Sequence, residues 1–213
     1  SAERLKRKYL PQIRSEPEAF AASADTIVHQ VDNIGRLINE FSAFARMPAP
    51  QFANESANQL VRQAVQMQEH ARPEIAFATQ LPEQDVRLYC DAGQVAQALT
   101  NLLQNAVESI EERMENEAAD RSPGHIVVGL RETDQFCVIE VQDNGRGLPS
   151  ELPGRLTEPY VTTRANGTGL GLAIVKKLME EHGGSLVLRN RAAGGASVEL
   201  AFPIGQAVSG TAA

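Results

Sequence analysis

Apolar positions recur along this chain with two different periods, and the switch between them marks its organisation. Leu5, Tyr9, Leu10 and Ile13 are spaced as on one helix face until Ser15, Glu16 and Pro17 interrupt them. A longer run follows. Phe20, Ala24, Ile27, Val31, Ile34, Leu37 with Ile38, Phe41 and Ala45 alternate steps of four and three, a heptad seam over more than three repeats. Such a seam belongs either to a core helix of a single globular domain or to a helical hairpin that pairs with a second copy as a four-helix bundle. The bundle is preferred, because two short helices cannot cover that stripe alone. Met47-Pro48-Ala49-Pro50 stops the helix, since proline lacks the N–H and restricts the residue before it, and this places a domain boundary after residue 50.

Beyond the boundary, helical and alternating patterns intermix. Ser56 to His70 predicts a helix, Ile75 to Leu81 and Val86 to Cys90 predict strands, and Asp91 caps a long helix running to about Met114. The acidic stretch Glu111 to Asp120 reads as a solvated helix end and loop. Strands at Ile126 to Arg131 and Phe136 to Val141 form a hairpin about Thr133-Asp134, followed by a glycine-rich region. A helix at Gly169 to His182 and strands at Ser185 to Arg189 and Ala196 to Phe202 complete the pattern. That order specifies an α+β fold, a two-layer α/β sandwich over residues 51–205, with 206–213 as a frayed tail.

Composition narrows the function classes. A net charge of -7 over 213 residues offers no footprint for nucleic acid. Cys90 and Cys137 sit in apolar strand-like stretches without metal-ligand spacing and read as small core residues. No run approaches the roughly 18 apolar residues of a membrane span, so a cytosolic piece is expected. The chain opens at Ser1 on an already helical pattern with no initiator Met, as a fragment would.

Four separated elements carry the residue types that a nucleotide pocket needs. In Asn101-Leu102-Leu103-Gln104-Asn105-Ala106, the two asparagines lie four apart on one helix face, and the amide oxygen of Asn105 suits a hard Mg²⁺ ion. Asp143-Asn144-Gly145-Arg146-Gly147-Leu148 sets a carboxylate at a strand end beside glycines, suited to accept from the exocyclic amino group of adenine. Gly167-Thr168-Gly169-Leu170-Gly171-Leu172 opens a helix, whose first N–H groups and dipole favour phosphate. It is neither a Walker loop nor a dinucleotide fingerprint. Gly194-Gly195-Ala196-Ser197 precedes the last strand, where Ser197 could reach the base directly or through water. Each element alone is an ordinary cap, turn or helix start; the conjunction is informative.

In this order and spacing, the four resemble the N, G1, G2 and G3 boxes of the histidine kinase ATPase domain, within the gyrase, chaperone and MutL superfamily, over roughly Phe52 to Ile204. Glu158-Pro159-Tyr160-Val161-Thr162-Thr163-Arg164 resembles the F box of its lid, and His182-Gly183-Gly184 is similar to the kinase branch. Ala2 to Tyr9 and Leu37 to Pro48 resemble the dimerisation hairpin of the NtrY-type nitrogen-regulation sensor kinases. Glu108 stands where many sensor kinases carry Lys, which leaves phosphate charge to Mg²⁺, the helix end and Arg164.

The resemblance implies ATP-dependent phosphorylation of a histidine and relay to an aspartate of a response regulator receiver domain. It implies ATP and Mg²⁺ as cofactors, a homodimer through the hairpin of residues 1–50, and a membrane anchor upstream of a cytoplasmic portion. It further implies nucleotide contacts from Thr162, Thr163 and Arg164 beside those of the four boxes. The family's acceptor motif, H-E-[IL]-[KR]-N-P-L, is absent. His29 is followed by no acid, His70 and His125 read as surface residues, and His182 as a helix cap, so the chain is expected to bind ATP without labelling itself. The rival readings are a serine-kinase or switch ATPase of the same superfamily and a non-catalytic docking module.

Overall fold

The computed structural model describes Tyr9 and residues 17–45, 48–116, 122–149, 154–164 and 167–204. Contacts divide the chain into two compact units, residues 1–47 with 164–168 and residues 48–163 with 169–213. In the first unit, α1 (Pro17–Ala45) is the expected long helix, opened by a proline whose missing N–H costs nothing at a first helical position. The seam it carries is bare: Ile27, Val31, Ile34 and Ile38 are each more than half exposed, as is much of Phe41. The earlier helix expected over Leu5–Ile13 lies outside the described residues apart from Tyr9, and so do the side chain of His29 and the tail 206–213.

The second unit is a sandwich of a five-stranded sheet and three helices, with a small two-stranded ladder beside it. Its elements are β1 (Ala53–Ser56), α2 (Ala57–Ala71), β2 (Ile75–Gln80), β3 (Arg87–Cys90), α3 (Ala92–Asn116), β4 (Gly124–Glu132), β5 (Phe136–Asp143), α4 (Gly171–Glu181), β6 (Ser185–Asn190) and β7 (Ala196–Pro203). The main sheet runs β2-β4-β5-β7-β6, with β2 parallel to β4 and the other neighbours antiparallel. The helices pack on one face. Leu99, Leu103 and Ile110 of α3 and Ile174 and Leu178 of α4 are sealed against Ile126, Ile139 and Leu200 of the sheet. Each such side chain contributes roughly 1.5–3 kcal/mol by leaving water.

Strand β1 departs from the expected pattern. Ala-Asn-Glu-Ser has no strand propensity, but it pairs in antiparallel register with β3, Ala53 opposite Cys90 and Ser56 opposite Arg87. Ser56 then caps α2 by accepting from Gln59 N (3.1 Å). Two residues on from Ser56, the buried amide of Asn58 pins the β2–β3 loop, accepting from Val86 N (3.0 Å) and donating to Pro82 O (3.0 Å). The Cys90 and Cys137 thiols are fully buried and unpaired, and burial pushes both up to about 12, aided for Cys90 by the Glu55 carboxylate.

One tie joins the start of α3 to the end of α4. Asp91 Oδ1 accepts from Gln94 N (3.0 Å), the expected cap, while Asp91 N donates to His182 Nε2 (3.1 Å). With Nε2 accepting, the proton is assigned to Nδ1, which donates to Leu178 O (2.8 Å). His182 is therefore a buried link as well as a helix terminus, edge-on to Phe52 and Phe202 at centroid distances of 5.1 and 5.8 Å. Burial raises the Asp91 carboxyl, but the N–H groups of Gln51, Gln94 and Gly93 outweigh it and hold the group below its ordinary value of 3.8. The stability it adds is complete above the ordinary value and is lost as pH falls through the lowered one. Asp91→Ala is thus expected to lower stability by about 1 kcal/mol at neutral pH. In urea unfolding, its deficit against the unmutated chain should shrink steadily below about pH 4.

Candidate functional site

Alternation along β5 turns Cys137, Ile139, Val141 and Asp143 to the helix-covered face and Glu140 and Gln142 to the other. A carboxylate thus ends a series of core positions, and Asp143 is 5% exposed. Its Oδ1 accepts from Gly145 N (2.8 Å) and, across the sheet, from Ala196 N (3.3 Å), which compensates part of the desolvation. The loop after Asp143 lies directly on α3. Arg146 N donates to Ser109 O (3.2 Å), and a Cβ at Gly145 would stand 2.6 Å from Ser109 C and 2.8 Å from Ile110 N. Only glycine lets the loop come so near the helix.

The asparagines of α3 meet the start of α4. Asn101 Nδ2 donates to Gly171 O (3.3 Å), and a Cβ at Gly171 would lie 3.8 Å from Asn105 Nδ2. Gly169 takes a left-handed φ of 68°, and the helix begins at Gly171 with no side-chain cap at its N-cap, Leu170. Leu172 and Ala173 follow in the first turn, whose N–H groups have no intrahelical partner and are suited to an anion. Gln104 Nε2 donates to Glu108 Oε1 (3.0 Å), so the acid one turn past Asn105 is already engaged. Among the described residues no group of three or more His, Cys, Asp or Glu could cage a metal. Amide oxygens alone fit an ion such as Mg²⁺ that keeps its waters and the phosphates as its other ligands.

The lid segment is anchored at two points within this unit. Tyr160 N donates to Gly169 O (3.0 Å), with Tyr160 itself at a φ of 67° that costs a non-glycine residue energy. Arg146 NH2 donates to Thr163 Oγ1 (2.7 Å) while its Nε pairs with Glu112 (2.7 Å), so the arginine of the glycine loop holds both α3 and the lid. Thr162 adjoins Thr163. Arg164, Gly167 and Thr168 fall in the other unit, where Gly167 N donates to Arg164 O (3.2 Å).

Ser197 departs from the expectation. It pairs with Gln142 and shares that residue's face, away from Asp143, and its hydroxyl donates to Glu140. The strand period fixes this: Ala196, one residue earlier, is the member of the pair that faces the carboxylate, and it acts through its backbone N–H. His70 and His125 are exposed, as expected. A cavity of about 550 Å³ lies apart from Asp143, between Leu148, Leu156, Met179, Leu186 and Leu188. The buried polar groups converge elsewhere, at Asp143 and the start of α4, and that convergence defines the site. Asn190 and Arg191, with bonds into the glycine loop, carry roles that no motif signalled, and Arg146 within the loop ties it to Thr163 and Glu112.

The sequence profile of the histidine kinase-, DNA gyrase B-, and HSP90-like ATPase family matches residues 90–206, and the chain belongs to that family. Within it the chain is similar to the nitrogen regulation protein NtrY of Azorhizobium caulinodans, 45% identical over 201 residues that make up 94% of this chain and 26% of that protein. The chain thus spans about a quarter of that relative's length. Among solved structures it is similar to the catalytic domain of histidine kinase ThkA, 28% identical with a TM-score of 0.61 over 72% of this chain and 97% of that one. It is likewise similar to full-length ShkA in complex with AMPPNP, 26% identical with a TM-score of 0.65 over 89% of this chain and 38% of that one.

The contact of the glycine loop with α3 is open to a direct test. Gly145→Ala is expected to cost about 1–3 kcal/mol in urea unfolding, since Ser109 and Ile110 meet the new methyl with backbone atoms that cannot step aside.

Proposed function

We propose that this chain is the ATP-binding catalytic part of a two-component sensor histidine kinase of the nitrogen-regulation type. The observation that carries the reading is the buried Asp143 carboxylate, braced by Gly145 N and Ala196 N at the mouth of a strand. Such a group recognises a donor, and the exocyclic amino group of adenine is one. The asparagines of α3 and the first turn of α4 meet at Gly171, where a phosphate chain could lie. ATP would be bound with Mg²⁺ at Asn105, the ion neutralising phosphate charge, and Thr162 and Thr163 would add contacts; for Arg164, Gly167 and Thr168 a nucleotide contact rests on the motif resemblance. The AMPPNP held by ShkA supports a nucleotide ligand.

Residues 51–205 form the catalytic domain in this reading, and residues 1–50 a dimerisation hairpin. The acceptor histidine lies outside these residues, and the phosphoryl group passes on to a receiver-domain aspartate. The protein contributes positioning and charge neutralisation, as is general for phosphoryl transfer. Among the described residues no helix is long and apolar enough to cross a membrane; an anchor, as in a membrane-bound sensor, would lie elsewhere in the protein.

Calorimetric titration with Mg-ATP tests the site. Asp143→Ala removes a charged hydrogen bond of about 1.5–3 kcal/mol, hence roughly ten- to a hundred-fold in affinity. Equal affinity for ATP and GTP in the unmutated chain would refute the adenine assignment.

The bare seam on α1 makes a second, independent prediction. A stripe of Ile27, Val31, Ile34, Ile38 and Phe41 left in water favours a partner helix, and the proposed partner is a second copy. Light scattering is expected to show a dimer that Ile34→Lys weakens, and a monomer at every concentration would rule it out.

A further inference from the structure

The loop that follows Asp143 is gripped at both ends by two adjacent residues that belong to none of the sequence signatures. Arg191 NH1 donates to the backbone oxygen of Asp143 (2.7 Å), where the loop begins. Asn190, the last residue of β6, grips the place where it ends. Leu148 N donates to Asn190 Oδ1 (2.6 Å), and Asn190 Nδ2 donates back to Leu148 O (3.1 Å). This reciprocal pair imitates a strand bridge, with a side-chain amide in place of a peptide.

The surrounding backbone is shaped to the same end. Arg191 N donates to Gly195 O (3.0 Å) and Gly194 N to Arg191 O (3.1 Å), closing a turn in which Gly194 and Gly195 take left-handed φ values of 89° and 80°. That turn presses Gly195 onto the Asp143 carbonyl so tightly that a Cβ there would overlap it. The same turn leads into Ala196, whose N–H meets the Asp143 carboxylate. Gly147, at a φ of 82°, passes so near Asn190 that its Cβ would lie 2.8 Å from Oδ1. One short turn thus holds the carboxylate, the peptide that follows it, and the first residue leading toward the lid.

We infer that Asn190 and Arg191 are positioning residues for nucleotide binding: Arg191 fixes the peptide that aims the Asp143 carboxylate at the base, and Asn190 fixes the loop's exit toward the lid. Neither belongs to the core. Asn190 is exposed and Arg191 half-buried, and the registers of β6 and β7 do not involve their side chains. Loss of the guanidinium removes the hold on the Asp143 carbonyl, leaves the 143–144 peptide tied through Asn144 N to His125 O (3.2 Å), and so loosens the residue whose carboxylate oxygen takes two N–H groups. The inference rests on the reading of Asp143 as the acceptor for adenine.

Calorimetric titration of ADP and of GDP into the unmutated chain, Arg191→Ala, Arg191→Lys and Asn190→Ala tests it, with amide exchange of residues 145–148 followed in the nucleotide-free proteins. Each alanine variant is expected to weaken ADP about five- to twenty-fold, the scale of one or two lost hydrogen bonds to a poised group. For Arg191→Ala, GDP should change less, narrowing the selectivity, and Arg191→Lys should recover part of it by keeping a donor. In Asn190→Ala, the Leu148 amide should exchange faster. If the unmutated chain prefers ADP and both alanine variants keep that affinity and selectivity, the positioning roles are wrong and the assignment of Asp143 stands. Equal weakening of ADP and GDP by Arg191→Ala, with a lowered melting temperature, would reduce Arg191 to a structural part and overturn the inference. If the unmutated chain binds neither nucleotide or shows no preference, the adenine assignment itself fails and the inference falls with it.

Discussion

A carboxylate in line with a hydrophobic core is the constraint around which the second unit is arranged. Asp143 continues the inward series Cys137, Ile139, Val141, and an uncompensated charge there would cost several kcal/mol. Its compensation comes from backbone: Gly145 N from its own loop and Ala196 N from the neighbouring strand. These donors are in place only when β5 and β7 hold their register and the loop turns back sharply, so the local chemistry of the site and the global topology of the sheet specify one another.

The glycines are the means by which backbone comes near enough. Gly145 lies against the helix backbone at Ser109 and Ile110, and Gly195 against the peptide of Asp143. In both cases main-chain atoms are among the neighbours, and these cannot choose another rotamer. The two loops therefore form a layer of peptide groups between α3 and the β6–β7 turn, and polar recognition is built from groups whose positions are set by the fold rather than by side-chain freedom.

Much of this was legible in the sequence. The helical periods over Pro17–Ala45 and Ala92–Asn116 and the alternation of β4 and β5 located most elements to within a few residues. Asn101 and Asn105, four apart, do meet a common neighbour in Gly171. What escaped were features with no periodic or compositional trace. β1 exists because β3 supplies its partner, and Ala-Asn-Glu-Ser carries no preference of its own. Ser197 has a suitable residue type, but its face is set by a register of period two that sequence alone leaves undetermined by one residue. Asn190 and Arg191 act through side chain to backbone bonds across more than forty positions, and no spacing rule reports those. His182 read as a helix end, and its second bond, to Asp91 N, links residues 91 positions apart.

The two buried thiols bear on how this fold breathes. With both raised to about 12 by burial, Cys90 and Cys137 hold almost no thiolate at neutral pH while the sandwich is closed. Cys90 closes the small β1–β3 ladder, and Cys137 is the second residue of the central strand β5, paired with Phe202. Alkylation at either sulfur therefore waits on an opening of its own part of the molecule. The chain carries two internal clocks, one timing the detachment of a peripheral ladder and the other the parting of its innermost sheet.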